Sequence, residues 1–183
     1  MDKETREKIK LSIETLRNKK SKIYFLVQDT KGNAKASVRY IYQMAKTLND
    51  TGFNPIILHE KEDYTGVGEW LGEEYTKLNH SSIEDKGLEI SPEDFLVLPE
   101  IYGFVMDQVK TLPCAKIVLS QQYDAIVDTL QPGQSWNNFG FYKCITTSGK
   151  QKEYLEKIMR KSSFEIVRAY ITDTFKPSSK PPM

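Results

Sequence analysis

Four polar clusters in this chain stand where apolar runs stop, and each carries side chains able to hydrogen-bond a ligand or move a proton. Asp29, Lys31, Gly32 and Asn33 follow the run Ile23 to Val27, and His59 follows Asn54 to Leu58. Glu100 follows Phe95 to Leu98 and Pro99, while Gln121 and Gln122 follow Lys116 to Leu119 and Ser120. A carboxylate with two amides offers donors and acceptors that match a hydroxyl-rich ligand. Glu100, Asp29 and His59 are the three side chains that could act as a general base, and Glu100 leads because it leaves a buried strand directly. Asp29 and Asn33 equally suit plain turn chemistry around a permissive Gly32. The other residues equally suit solvated strand ends. What raises these clusters above turn-formers is their common position after strands.

Other chemistries fit less well. His59 and His80 are far apart in sequence, with no third ligand type at a matching spacing, so no metal site is expected. Gly66-Val67-Gly68-Glu69-Trp70-Leu71-Gly72 has the wrong spacing for a dinucleotide fingerprint and follows the second strand rather than the first, which reads as a surface loop. No Walker A sequence is present. Cys114 and Cys144 sit in apolar surroundings without Cys-x-x-Cys or Cys/His spacing, as reduced core thiols do.

The elements that must position these clusters follow from periodicity. Residues 22 to 58 form one β-α-β unit: Val38, Ile41, Ala45 and Leu48 share a helical face, Lys35, Arg39 and Lys46 point outward, and Gly52 stops the helix. Ahead of it, Ile9, Ile13 and Leu16 make residues 3 to 19 an amphipathic helix. A short third strand is expected at Tyr75 to Leu78 and a loop at Ser81 to Ser91. Strands follow at Phe95 to Leu98, Lys116 to Leu119, Cys144 to Thr147 and Phe164 to Ala169, with helical character between the first two. Ser148 and Gln151 form a capping box for a helix carrying Tyr154, Leu155, Ile158 and Met159. In the aromatic segment Leu130 to Tyr142, Trp136 reads as a loop anchor rather than a sugar-stacking platform. Short strands alternating with helices predict an α/β fold with a doubly wound, mainly parallel sheet.

A chain of 183 residues suffices for one such domain and is short for two. The expected layout is an N-terminal helix (1–21), a Rossmann-like domain (22–174) and a Pro/Ser-rich linker or start of a further domain (175–183). A formal net charge of +1 argues against nucleic acid as a partner. The charged N-terminus lacks the apolar core of a secretory signal, and no window is long enough for a transmembrane segment, so a cytoplasmic setting is expected.

Lys22 to Val27, the loop with Gly32, the helix through Tyr40 to Leu48 and Thr51-Gly52-Phe53-Asn54-Pro55 together resemble the opening of glycosyltransferases with the GT-B fold. Pro92-Glu93-Asp94 to Glu100, Ile117 to Tyr123 and Ile145 to Ser148 resemble later segments of the same N-terminal domain. The resemblance covers roughly residues 22 to 176. It implies the acceptor-side half of a transferase, with Tyr123 and Ser148 joining Lys31, Gly32, Asn33, Gln121 and Gln122 around a glycan or other hydroxyl-bearing acceptor. It further implies a C-terminal donor-binding domain as partner, which would hold most of the nucleotide-sugar; this domain alone would bind no cofactor and be inactive. The lack of Asp-x-Asp agrees with the metal-independent chemistry of that family. Two rivals remain: a non-catalytic binding or structural module on the same domain, and a flavodoxin-like protein, which would need a loop richer in Ser and Thr than Asp29 to Ser37 provides.

Overall fold

Short apolar runs bounded by turn-formers bury well as parallel strands covered on both faces. In the computed structural model, which describes residues 2–18, 21–64, 70–159, 162 and 164–168, they assemble into one sheet. Its strands are β1 (Lys22–Val27), β2 (Asn54–His59), β3 (Asn79–Ser82), β4 (Phe95–Pro99), β5 (Ala115–Ser120), β6 (Phe141–Thr146) and β7 (Phe164–Ile166). Their order is β3-β2-β1-β4-β5-β6-β7, and every pairing is parallel. The chain therefore builds outward from β1 to β3, then returns to the middle and builds the other way. At β1 and β4 the connections depart in opposite directions, which opens a crevice at the carboxyl edge.

The helices are α1 (Lys3–Asn18), α2 (Ala36–Asp50), the single turn α3 (Glu73–Thr76), a 3-10 helix (Glu100–Val105) leading into α4 (Met106–Val109), α5 (Ala125–Thr129), a second 3-10 helix (Trp136–Phe139) and α6 (Gly149–Ile158). Strand alternation divides the interior in two. Phe25, Val27, Ile57 and Val97 pack with Val38, Ile41 and Ala45 of α2 and with Leu71, Tyr75 and Leu78. On the other face Tyr24, Leu26, Leu96, Leu98 and Val118 pack with Tyr102, Met106, Trp136 and Leu155. The predicted doubly wound α/β class is what the chain adopts.

Local chemistry sets the boundaries. Gly52 has φ +86°, and the N–H of Phe53 reaches the Leu48 carbonyl at 3.0 Å while that of Gly52 reaches Asn49 at 3.0 Å, a left-handed turn that ends α2. The buried Asp94 carboxylate accepts the Lys22 N–H (2.8 Å) and the Ser91 N–H (2.8 Å), which latches the start of β4 beside β1.

Some expectations change. The third strand lies at Asn79–Ser82, within a stretch read partly as loop, whereas Tyr75 and Leu78 sit on and beside a helical turn that drives both into the core. An edge strand needs backbone pairing more than apolar side chains, so polar Asn79-His80-Ser81-Ser82 serves. His59 is the last residue of β2, paired with Val27, and is buried rather than placed in a loop. β6 begins three residues earlier than expected, at Phe141. Half of the proposed capping box forms: Ser148 Oγ accepts the Gln151 N–H, but the Gln151 side chain turns to Thr147 and Ser120. A complete box occurs at Ser135 and Asn138. Trp136 is fully buried, as an anchor must be. Both cysteines are free and buried, and burial pushes their thiols up, that of Cys144 to about 12. Gly66 to Gly68 and the tail 175–183 lie outside the described residues. Among the described residues, no helix is long and apolar enough to cross a membrane.

The first 3-10 helix packs tightly on α5: a Cβ at Gly103 would stand 2.4 Å from Thr129 Cβ and 2.7 Å from its Cα. Gly103→Ala is expected to cost about 2–3 kcal/mol through overpacking. Gly52→Ala meets open space and carries only its positive φ, about 1 kcal/mol. Urea denaturation ranks the two, and equal midpoints would contradict the close approach.

Candidate functional site

The Glu100 side chain organises the carboxyl edge. Pro99 ends β4 in an extended conformation (φ −60°, ψ 145°), and the 3-10 helix begins at once, which turns Glu100 back under the edge at 1% exposure. Its Oε1 accepts the backbone N–H of Gln121 at 2.7 Å and of Gln122 at 2.6 Å. Gln121 in turn donates from Nε2 to the Ser37 carbonyl at 3.0 Å, in the first turn of α2. One carboxylate and one amide thus tie together the segments that follow β1, β4 and β5.

Around this knot lies an open cavity of about 590 Å3, walled by Gln28, Lys35, Ser37, Glu100, Gln121 and Gln122, with Ala36, Tyr40, Ile101 and Thr147 completing it. Lys35 Nζ donates to Gln28 Oε1 at 2.8 Å, so the wall carries a positive charge across from the carboxylate's loop. The second Glu100 oxygen, Oε2, is buried and has no hydrogen-bond partner. Burial pushes the Glu100 carboxyl above its usual range, against the donated backbone N–H groups that pull it down, and the nearby Asp124 charge adds slightly to the rise. A buried acceptor without a donor is costly in a folded chain, about 1–3 kcal/mol. Such a group matches a hydroxyl or amide that arrives with a ligand.

The other predicted residues divide. Asp29 and His59 meet beside Thr30 and Trp70 around a small void of about 10 Å3, next to the larger cavity but too small for a ligand. Asp29 Oδ1 accepts the Lys31 N–H at 2.9 Å, and Lys31 (φ +49°) with Gly32 (φ +79°) makes a tight left-handed turn. The Asn33 amide closes on the Thr30 carbonyl at 3.1 Å. Lys31, Gly32 and Asn33 thus shape the loop and do not line the 590 Å3 cavity. Tyr123 stands half exposed against Tyr154, with ring centroids 5.7 Å apart, and Ser148 caps α6. Gln28 and Thr147, each the first residue past a strand, line the cavity although the sequence reading passed over them. Position after the strand would have found both.

The two histidines, distant in sequence, are brought together by the pairing of β3 on β2, which sets His80 opposite Ile57. His80 Nε2 lies 3.2 Å from the Tyr75 carbonyl, and His59 Nε2 lies 2.9 Å from His80 Nδ1. A carbonyl only accepts, so His80 carries its proton on Nε2, and His59 donates to the bare Nδ1. The His59 ring also lies flat on Tyr64, 3.4 Å between centroids. Burial first, then the neighbouring His80, lowers His59 from 6.5 to about 3, with Asp29 opposing weakly. Burial also lowers His80, against the Tyr75 carbonyl. Among the described residues, no group of three or more His, Cys, Asp or Glu could hold a metal ion.

The sequence matches no protein-family model and no curated protein. The site is therefore read from its geometry.

Because the folded state holds His59 neutral with its pKa depressed, that contribution is whole above pH 6.5 and is lost as pH falls from there towards 3. By pH 5 the loss amounts to about 2 kcal/mol. The urea midpoint should therefore drop between pH 7 and pH 5, and His59→Phe should flatten that slope. Parallel slopes in the two proteins would show that His59 does not titrate as its burial requires.

Proposed function

We propose that the cavity beside Glu100 binds a hydroxyl-bearing acceptor, and that the chain is the acceptor-side half of a GT-B-type glycosyltransferase. The observation that carries this reading is the unpartnered Glu100 Oε2, buried at the edge of a cavity lined by three glutamines, the hydroxyl-bearing Ser37, Tyr40 and Thr147, one lysine and the apolar Ala36 and Ile101. The crevice lies beside the β1/β4 reversal, where open α/β sheets take ligands. The likeness of residues 22 to 58, Pro92 to Glu100 and Ile117 to Tyr123 to the N-terminal domain of that family agrees with it.

In a complete transferase a donor-binding domain would face this rim and hold the nucleotide-sugar, so that the acceptor hydroxyl is oriented on the anomeric carbon. The Glu100 Oε2 would accept the hydrogen bond of that hydroxyl. A carboxyl raised by burial holds a proton more strongly than an exposed one, which suits it to take the proton if configuration inverts. Asp29 is occupied by the Lys31 amide and His59 by His80, so Glu100 is the candidate base that faces the cavity.

A non-catalytic binding module using the same cavity is the second reading. It draws on the engagement of Glu100 Oε1, Asp29 and His59 in structural hydrogen bonds. Both readings place the ligand at one site and differ in whether a proton moves there.

Amide chemical-shift mapping with methyl glycosides tests the shared core. The Gln121 and Gln122 amides should shift, UDP-glucose alone should leave them in place, and Glu100→Gln should weaken binding at least tenfold, which is about 1.4 kcal/mol. That size suits one charge-assisted hydrogen bond. Shifts with no glycoside, or undiminished affinity in Glu100→Gln, would remove the assignment.

A further inference from the structure

Among the described residues, the sheet face that carries α2 is covered on one side only. Leu71, Tyr75 and Leu78 join α2 over β1 and β2. Beyond α2, Phe95, Val97, Ile117 and Ile145 of β4, β5 and β6 line an open groove of about 470 Å3, with Met44 and Leu48 of α2 as its wall. Its lining is almost wholly apolar, and it shares only Tyr40 with the cavity at the carboxyl edge. An open apolar groove on a sheet face is the shape that receives the apolar stripe of a helix.

The same molecule carries a helix whose described side chains are mostly exposed. The α1 side chains from Lys3 to Thr15 are exposed, apart from a half-buried Ile13; Ile9 is 45% exposed. Ile9 and Ile13 stand one turn apart on the apolar stripe, the spacing with which a helix fills a groove. At its C-terminal end the Arg17 guanidinium lies 5.1 Å over the ring of Phe53, itself part of the groove wall. Only three residues separate Asn18 from Lys22, where β1 begins. Although its last turn meets the rim, no described α1 residue lines the groove of its own chain.

We propose that two copies of this chain exchange their α1 helices, each laying the Ile9/Ile13 stripe into the other's groove beside Met44 and Leu48. A helix of 16 residues is roughly 24 Å long and 10 Å wide. Half of that surface with its facing wall amounts to roughly 750 Å2. Two such contacts related by a two-fold axis bury roughly 1,500 Å2, the size of a stable interface. The exchange goes beyond the proposed function and is separable from it, because none of Glu100, Gln121 and Gln122 lines the groove.

Sedimentation velocity of the full chain over the micromolar range reads the association directly. A concentration-dependent dimer is expected. Ile9→Asp with Ile13→Asp, and separately Met44→Lys, should each weaken it at least tenfold while circular dichroism and the melting temperature stay near those of the parent. Cross-linking then identifies the occupant: the native cysteines are buried, so an equimolar mixture of Ile13→Cys and Met44→Cys chains should form a disulfide between copies under mild oxidation. A monomer at every concentration, a dimer indifferent to Ile9→Asp/Ile13→Asp, or a mixture that yields no cross-link overturns the proposal. So does a chain carrying both cysteines that cross-links only within itself, since α1 would then cover its own groove.

Discussion

The carboxyl edge is held by a single buried carboxylate. Glu100 gives one oxygen to two consecutive backbone N–H groups of the segment after β5, and Gln121 passes the restraint on to the first turn of α2. Three connections that would otherwise be independent loops are thereby set relative to one another. An ion with two donors on one oxygen and none on the other is unevenly satisfied, and this imbalance marks the edge as a place where something else belongs. Strength and vacancy come from the same side chain.

Much of this was readable in the residues themselves. The runs at Ile23 to Val27, Asn54 to Leu58, Phe95 to Leu98 and Lys116 to Leu119 are buried central strands, where both faces demand apolar side chains and the pattern has no competitor. β3 was not readable in that way. It lies at the sheet's edge, its side chains are polar, and the neighbouring Tyr75 and Leu78 carried an apolar signal that belonged to a helical turn. Glu100 and Gln121 directly follow a strand and Gln122 comes one residue later, a position that marked all three in the sequence. Thr147 was passed over in favour of Ser148, a difference of one residue that capping chemistry decides.

The histidine pair shows the limit of reading along the chain. His59 and His80 become neighbours only because β3 pairs with β2 in parallel, a long-range contact with no local signature. Tautomer, burial and stacking then follow from that juxtaposition. Likewise the groove could not be anticipated, since an uncovered strip of sheet is defined by which helices fail to reach it. The amphipathic stripe of α1 was legible, but the exposure of Ile9 on it was not.

The latch between Asp94 and Lys22 joins residues 72 positions apart, and it has a bearing on biosynthesis. Strand β1, an interior strand of the finished sheet, is made before either of its neighbours. Its β2 side can be paired early, while its other flank stays a bare edge until the midpoint of the chain has been made. Long-range parallel pairing is slow, and an unpaired hydrophobic edge invites aggregation in the interval. The nascent chain before β4 is therefore the stage at which this sheet most needs shielding by a chaperone, and synthesis that stalls before Phe95 leaves one edge of β1 open.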